Sequence, residues 1–397
     1  MGFNQKMFEL GNKRSIIREI FEYSKARAKE IGAENVFDFS LGNPSVPAPK
    51  EVNDTIAELL ANENSVLLHG YTSAQGDAGV RTVIADSINE KFNVNITPNH
   101  IYMTCGAAAS LSISLKAVIE DENDECIVFA PFFTEYRVFI SNAGGKIVIS
   151  EPEDKTLQID VADFESKINK NTKAVILNSP NNPSGVVYTE EKIKAVCDVL
   201  RRKSEEYGRV IYLIADEPYR ELVYSGVEVP YLMNYYDNTL VCYSYSKSLS
   251  LPGERIGYIA VCPKMTDCQS IYLAVCGAGR SLGYVCAPSM FQQVIARCIN
   301  AKVNVEAYKE NRDLLYDNLT SYGYECVKPD GAFYLFVKAL EEDAYKFYER
   351  AKAHEILVVP CDDFGVKGYV RIAYCTAKST VIGALPAFEA LAKEYNK

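Results

Sequence analysis

Apolar positions along the chain change their period twice, and the changes divide it into three stretches. In residues 13–31, Ile16, Ile20, Tyr23 and Arg27 fall at helical spacing and Gly32 follows as a stop, so the pattern predicts an amphipathic helix. FDFSLGNPSVPAP reads as a short strand running into a Gly/Pro loop, and helices are expected over 50–62 and 77–92. From about residue 100, short continuous apolar runs alternate with helical stretches. The runs are IYMTCG, ECIVFAP, KIVIS, KAVILNSP, VIYLIADEP, TLVCYSYSKS and RIGYIAVCP, with a helix starting at Thr189 among the connections. Fully apolar strands separated by helices indicate a mostly parallel sheet covered by helices on both faces. After about residue 288 comes one long helical stretch rich in Lys, Glu and Asn, then strand-like AFYLFV, ILVVP and GYVRIAYC between further helices.

The fold class expected is therefore α/β. A large domain over residues 49–288 carries the mostly parallel sheet, a smaller α+β domain covers 289–397, and a segment over 1–48 packs with the small domain. A chain of 397 residues is long for a single core, which agrees with two domains. In open parallel sheets, ligands sit beyond the carboxyl ends of the strands. The residues that follow the apolar runs are Cys105 to Ala108, Pro131 to Phe133, Asn178 to Pro183, Asp216 to Tyr219, and Ser244 to Lys247. They should converge on one sheet edge.

Composition narrows the function classes. A formal net charge of −10 disfavours a nucleic-acid partner. No apolar run approaches the ~18 residues of a membrane span, and the N-terminus lacks the apolar core of a secretory signal, so a soluble cytoplasmic protein is expected. The 12 cysteines are scattered without a Cys-x-x-Cys pair and there are only 3 histidines, so no metal site is expected. The cysteines read as small buried hydrophobes in a reducing compartment. GAGRSLG at 277–283 is one residue off a dinucleotide fingerprint, follows no clear strand, and is set aside as a nucleotide site.

The strand-end residues carry varied chemistry. Lys247 closes a buried strand, where a lysine either emerges into solvent or serves as a Schiff-base nucleophile. Asp216 follows a deep apolar run and needs a cationic partner such as a pyridinium, or else caps a helix or joins an internal ion pair. Phe133 could stack on a flat heterocycle or belong to the core. Gly106, Ala107 and Ala108 open a helix and expose backbone N–H groups suited to an anion such as phosphate, with Ser244, Ser246 and Arg255 as further donors. Arg371 lies in an apolar strand and must pair with a substrate carboxylate or with an internal acid.

Taken in order, these segments resemble a known family. SYSKSLSLPGERIG, with an arginine eight residues after its lysine, is similar to the cofactor-lysine signature of class I/II aminotransferases, of the aspartate aminotransferase superfamily and fold type I of pyridoxal-phosphate enzymes. NSPNNPSG, ADEPYRELVY, VRIAY, PDGAFYLF and GYTSAQGDAGVR resemble five more family segments, the last with Val80 where Leu is more usual. The resemblance spans roughly residues 38–375. It implies that Lys247 holds pyridoxal 5'-phosphate as a Schiff base and moves the substrate proton, and that Asp216 holds the pyridine nitrogen. Tyr219 and Asn182 would reach the 3'-oxygen, and Phe133 would stack on the ring where the family usually has Tyr or Trp. Gly106, Ala107, Ala108, Ser244, Ser246 and Arg255 would bind phosphate, and Tyr71 would reach the phosphate of a neighbouring subunit in a homodimer with shared sites. Gly42, Asn182 and Arg371 would meet the substrate α-carboxylate, and Arg280 would meet an acidic side chain. The implied reaction moves an amino group between an L-amino acid, aspartate-like by preference, and a 2-oxo acid. A C–S lyase of the same fold shares every segment, and a non-catalytic regulator would need a DNA-binding domain for which the chain has no spare residues.

Overall fold

The structure is a computed structural model and describes residues 2–12, 15–224 and 226–395. Its strands are β1 (Phe37–Asp38), β2 (Ile101–Thr104), β3 (Glu125–Phe129), β4 (Lys146–Ser150), β5 (Thr172–Asn178), β6 (Tyr212–Asp216), β7 (Thr239–Ser244), β8 (Gly257–Val261), β9 (Tyr334–Lys338), β10 (Ile356–Leu357), β11 (Val359–Pro360) and β12 (Tyr369–Ala373). Among the described residues, seven form a sheet in the order β2-β8-β7-β6-β5-β3-β4. Strands β4, β3, β5, β6 and β7 pair in parallel, and β8 runs antiparallel to both β7 and β2. The expected mostly parallel α/β sheet is present. Its runs are apolar throughout because helices cover both faces, so β2, β6, β7 and β8 are buried at every position.

Beyond it, β9, β11 and β12 form an antiparallel three-stranded sheet, and β1 pairs in parallel with β10, Phe37 opposite Ile356. The early segment is thus tied to residues more than three hundred positions away.

Helix boundaries follow local capping chemistry. The helix expected from residue 13 begins at Ile16, where the Ser15 hydroxyl accepts from the Arg18 N–H, and ends at Gly32, whose φ of 92° suits glycine. Lys13 itself lies outside the described residues. A preceding helix, Gln5–Asn12, was not expected: it buries none of its residues, so no core-facing stripe marks it. Lys50–Asn62 matches expectation, whereas Asp77 caps the helix Ala78–Phe92 by accepting from Val80 N–H rather than joining it. The long helical stretch after 288 is two helices, Ser289–Arg297 and Val305–Ser321, separated by an irregular turn around Asn300. The turn, CINAKVN, contains no Gly or Pro, which is why the pattern alone does not show the break. No helix among the described residues is long and apolar enough to cross a membrane.

Candidate active site

The parallel strands and β2 all end on one edge of the sheet, because β8 reverses direction between β2 and β7. Asn178 of β5 lies in register with Asp216 of β6, and Ser244 of β7 and Thr104 of β2 both lie opposite Gly257. A cavity of about 340 Å³ opens on this edge, walled by Gly42, Ala107, Ala108, Phe133, Asn182, Asp216, Tyr219, Ser244, Ser246, Lys247, Arg255 and Arg371. Residues from five strand ends and from the small sheet therefore share one space. Larger hollows lie beside Tyr258, about 420 Å³, and beside Pro47, about 620 Å³, but neither gathers these strand ends. Volume does not select the site; convergent polar groups do.

Lys247 sits in the short turn that continues β7, and its Nζ donates to the Gly42 carbonyl at 2.7 Å. Burial pushes its pKa down to about 8; the nearby Cys375 thiol opposes this, and the guanidinium groups of Arg255 and Arg371 lower it further. Capture of a carbonyl compound by this amine needs the neutral form. The rate at which cofactor-free protein captures pyridoxal phosphate, followed by stopped-flow absorbance, should therefore climb through pH 8 and level off near pH 9. A rate still climbing beyond pH 10 would show an ordinary exposed lysine.

Asp216 neither caps a helix nor joins an ion pair. The Tyr136 hydroxyl donates to its Oδ2 at 2.5 Å, while Oδ1 is buried with no hydrogen-bond partner among the described residues. Burial pushes the carboxyl up to about 7, with the Tyr136 bond opposing and the Glu217 charge adding to the rise. A buried acceptor left unpaired costs free energy unless a donor occupies the cavity beside it.

Arg371 is also buried and has no acidic partner among the described residues. Its Nη1 donates to Asn182 Oδ1 at 3.2 Å and its Nη2 to the Ser40 carbonyl at 2.7 Å, leaving Nε without an acceptor. The internal acid that sequence reasoning left open is absent, so a carboxylate entering the cavity would be its counter-ion. Gly42 lets the Tyr334 hydroxyl pack close to the backbone: a Cβ there would run into it.

One end of the cavity is built from a helix start. Gly106, at φ 86°, precedes the helix Ala107–Val118 and offers no side-chain cap, so the first N–H groups of the helix are free. A Cβ at Gly106 would lie 2.9 Å from the Arg255 guanidinium. The Ser244 and Ser246 hydroxyls sit 2.7 Å apart beside them. Phe133 lines the wall between, and the Tyr219 hydroxyl lies 2.9 Å from that of Tyr334.

Three residues named from sequence do not line this chain's cavity: Gly106, which immediately precedes the lining residues Ala107 and Ala108, and Tyr71 and Arg280. Tyr71 is 89% exposed, and Arg280 is exposed at the end of the helix Cys268–Ser281. The glycines of GAGRSLG thus belong largely to a helix, which removes them from any nucleotide loop. Conversely, sequence reasoning missed Tyr136, Tyr334, Ile17 and Leu41. Tyr136 follows Phe133 by one helical turn, a spacing that could have flagged it. Ile17 and Leu41 come from the distant N-terminal segment and carried no signal beyond being apolar.

A lysine amine, a buried carboxylate oxygen without a partner among the described residues, the free N–H groups of a helix start and an arginine without an acidic partner surround one cavity on the edge of an α/β sheet. The chain belongs to the family of class I and II aminotransferases, whose profile matches residues 34–385, and it is an enzyme of the aminotransferase type. It is 29% identical to an aspartate aminotransferase of Thermotoga maritima, over 92% of this chain and 94% of that one. It is 30% identical to an aspartate aminotransferase of Bacillus subtilis, over 89% and 90%. Among solved structures, an amino transferase from Eubacterium rectale superposes with a TM-score of 0.98 at 56% identity, covering 100% of both chains. The Thermus thermophilus aspartate aminotransferase with maleate gives 0.86 at 25% identity, covering 98% of this chain and 100% of that one.

Proposed function

We propose that this enzyme moves an amino group between an L-amino acid, aspartate-like by preference, and a 2-oxo acid, using pyridoxal 5'-phosphate held on Lys247. The observation that carries the reading is the set of three polar atoms around one cavity that lack a charged partner among the described residues: Lys247 Nζ, Asp216 Oδ1 and Arg371 Nε. When bound, pyridoxal 5'-phosphate supplies an electron sink for the charge left at the substrate Cα.

The chain's own residues do the rest. Asp216 Oδ1 would accept a hydrogen bond from a protonated ring nitrogen and supply its buried counter-charge. The free N–H groups at Ala107 and Ala108, the hydroxyls of Ser244 and Ser246, and Arg255 neutralise a phosphate; Gly106 leaves room for it. Phe133 presents a ring face and, unlike Tyr or Trp, no polar edge. Tyr219 and Asn182 donate to a phenolic oxygen. Arg371 grips the α-carboxylate of the substrate beside Gly42 and Asn182. Lys247 Nζ, its pKa lowered to about 8 by burial, would take and return the Cα proton once the substrate amine has displaced it.

The active form is a homodimer with shared sites. Supporting this, Val66, Leu67, Tyr71, Leu273 and Val285 are large apolar side chains left more than half exposed, a surface that a second copy would bury. Tyr71 then reaches the partner's phosphate, and Arg280 the partner's substrate. The pairing of β1 with β10 supports grouping residues 1–48 with a small domain over 289–397, and the seven-stranded sheet falls within a large domain over 49–288. All 12 cysteines are free, which supports a reducing, cytoplasmic setting.

Absorbance spectroscopy tests the reading. The visible band of protein loaded with pyridoxal phosphate should convert to the amine form on adding L-aspartate and return with a 2-oxo acid. Release of pyruvate from L-cysteine without conversion would make the enzyme a lyase instead. In Arg280→Ala, half-conversion should need at least about tenfold more aspartate, the worth of one charge-assisted hydrogen bond, with alanine little changed. Equal losses for both amino acids would remove Arg280 from the substrate site.

A further inference from the structure

Adjacent residues at the ends of β6 and β7 line two different spaces. Asp216, Ser244, Ser246 and Lys247 line the cavity described above, whereas Glu217, Tyr243, Tyr245 and Ser248 line a second hollow of about 420 Å³. Successive residues of a strand face opposite sides of the sheet, so the two spaces lie back to back. The turn that carries Lys247 is their common wall. The Tyr243 hydroxyl donates to the Ser248 hydroxyl at 2.9 Å and ties that turn to the strand. Across the hollow stand Ile84, Ile88 and Phe92 of the helix Ala78–Phe92.

The lining is aromatic around one carboxylate. Tyr243 stacks on Tyr258, with centroids 4.9 Å apart and planes at 20°, and Tyr245 meets Tyr243 edge-on at 5.0 Å. Glu221 is exposed to the hollow, yet the protein around it desolvates its carboxyl and raises the pKa, with the Tyr243 hydroxyl and the Arg220 charge opposing. Among the described residues Glu221 forms no ion pair. The adjacent Arg220 pairs with Glu217 instead, at 2.5 Å, and lies over the rings of Phe92 and Tyr231. Lys91 and Lys302 also line the hollow, but both are exposed residues. Tyr231 completes the wall; it is 4% exposed, and its hydroxyl has no hydrogen-bond partner among the described residues.

An anion and tyrosine ring faces both attract a cation. A hydrated metal ion is a poor match, because one carboxylate cannot replace its water, and no group of three metal-ligating side chains occurs among the described residues. A weakly hydrated cation with an apolar body fits both the rings and the isoleucines. We propose that this hollow is a second binding site, separate from the Lys247 cavity, and that it takes an organic ammonium ion, with the charge against Glu221 and the tyrosine rings and the apolar body against Ile84 and Ile88.

Isothermal titration of the full chain with benzyltrimethylammonium tests the assignment. The probe has no N–H and cannot form a Schiff base with a carbonyl compound, so its binding is not condensation with a cofactor at Lys247. The wild type should bind it saturably, with a dissociation constant of about 1 mM or below. Benzyl alcohol keeps the ring and lacks the charge, and Glu221→Gln keeps the side-chain shape and removes the anion. Each change should weaken binding at least about tenfold, the lower end for one close charge pair. If Glu221→Gln does not fold, the comparison of the two probes on the wild type decides. No saturable binding, or equal affinity for the two probes, overturns the proposal. So does binding untouched by Glu221→Gln, which would seat the probe elsewhere, the Lys247 cavity included.

Discussion

Lys247→Ala is expected to lower turnover by at least about 10⁴-fold, the upper end of what one proton-transfer group contributes, and to abolish covalent capture of the cofactor. The fold should be untouched. The lysine makes one hydrogen bond, to a backbone carbonyl, and burial already disfavours its charged form, so the native state does not depend on it. Two measurements separate chemistry from folding. Borohydride treatment followed by peptide mapping should label Lys247 in the wild type and no lysine in the variant, and the melting temperatures of the two cofactor-free proteins should agree closely. A variant retaining a tenth of wild-type turnover would sink the role, because no other lysine lines the cavity.

Much of this site was legible in the chain before any fold was known, for a physical reason. A parallel sheet buried on both faces leaves its strands no polar residues except at their ends, so chemistry stands out against apolar runs. Lys247, Asp216 and Asn182 are visible that way, and so is Arg371, a charge inside the apolar strand β12. The choice between ligand and internal partner was not visible. Whether Arg371 had an acid beside it, or Asp216 a cation, depends on side chains brought from other elements, and only the packed structure shows both without one. Tyr136 was hidden for the opposite reason: it is an apolar-looking residue at a helix start, and only the packed structure shows its hydroxyl reaching Asp216 at another strand end. The break between the helices Ser289–Arg297 and Val305–Ser321 was hidden because no Gly or Pro marks it. Residues that serve a partner subunit, as Tyr71 and Arg280 are proposed to do, look from a single chain like surface.

The second large effect concerns Asp216→Asn, which should pull activity and stability in opposite directions. The amide keeps the shape and can still accept from Tyr136, but it removes the anion beside Oδ1. If a pyridinium is the missing partner, breaking that buried pair costs about 3–5 kcal/mol, so turnover should drop by roughly two to four powers of ten. Without cofactor the sign reverses. The native carboxyl titrates at about 7, raised chiefly by burial from its ordinary acidic range. A carboxyl with a raised native pKa takes up protons more readily folded than unfolded, so it does not penalise the fold at pH 3, below both values. The penalty grows as pH rises toward 7 and is complete above that. Cofactor-free Asp216→Asn should accordingly melt near the wild-type temperature at pH 3 and gain over wild type up to about pH 7, with a constant advantage beyond. Thermal scans across this range check the stability half and steady-state kinetics the other. Wild-type turnover in the variant would refute the pyridine pairing, whereas a variant less stable than wild type at pH 8 would mean that the buried carboxylate is already satisfied within the chain. The geometry argues against the latter, because Oδ1 faces the cavity with no donor of its own. A carboxyl kept where folding alone disfavours its charge is what a site built for a bound cation would require.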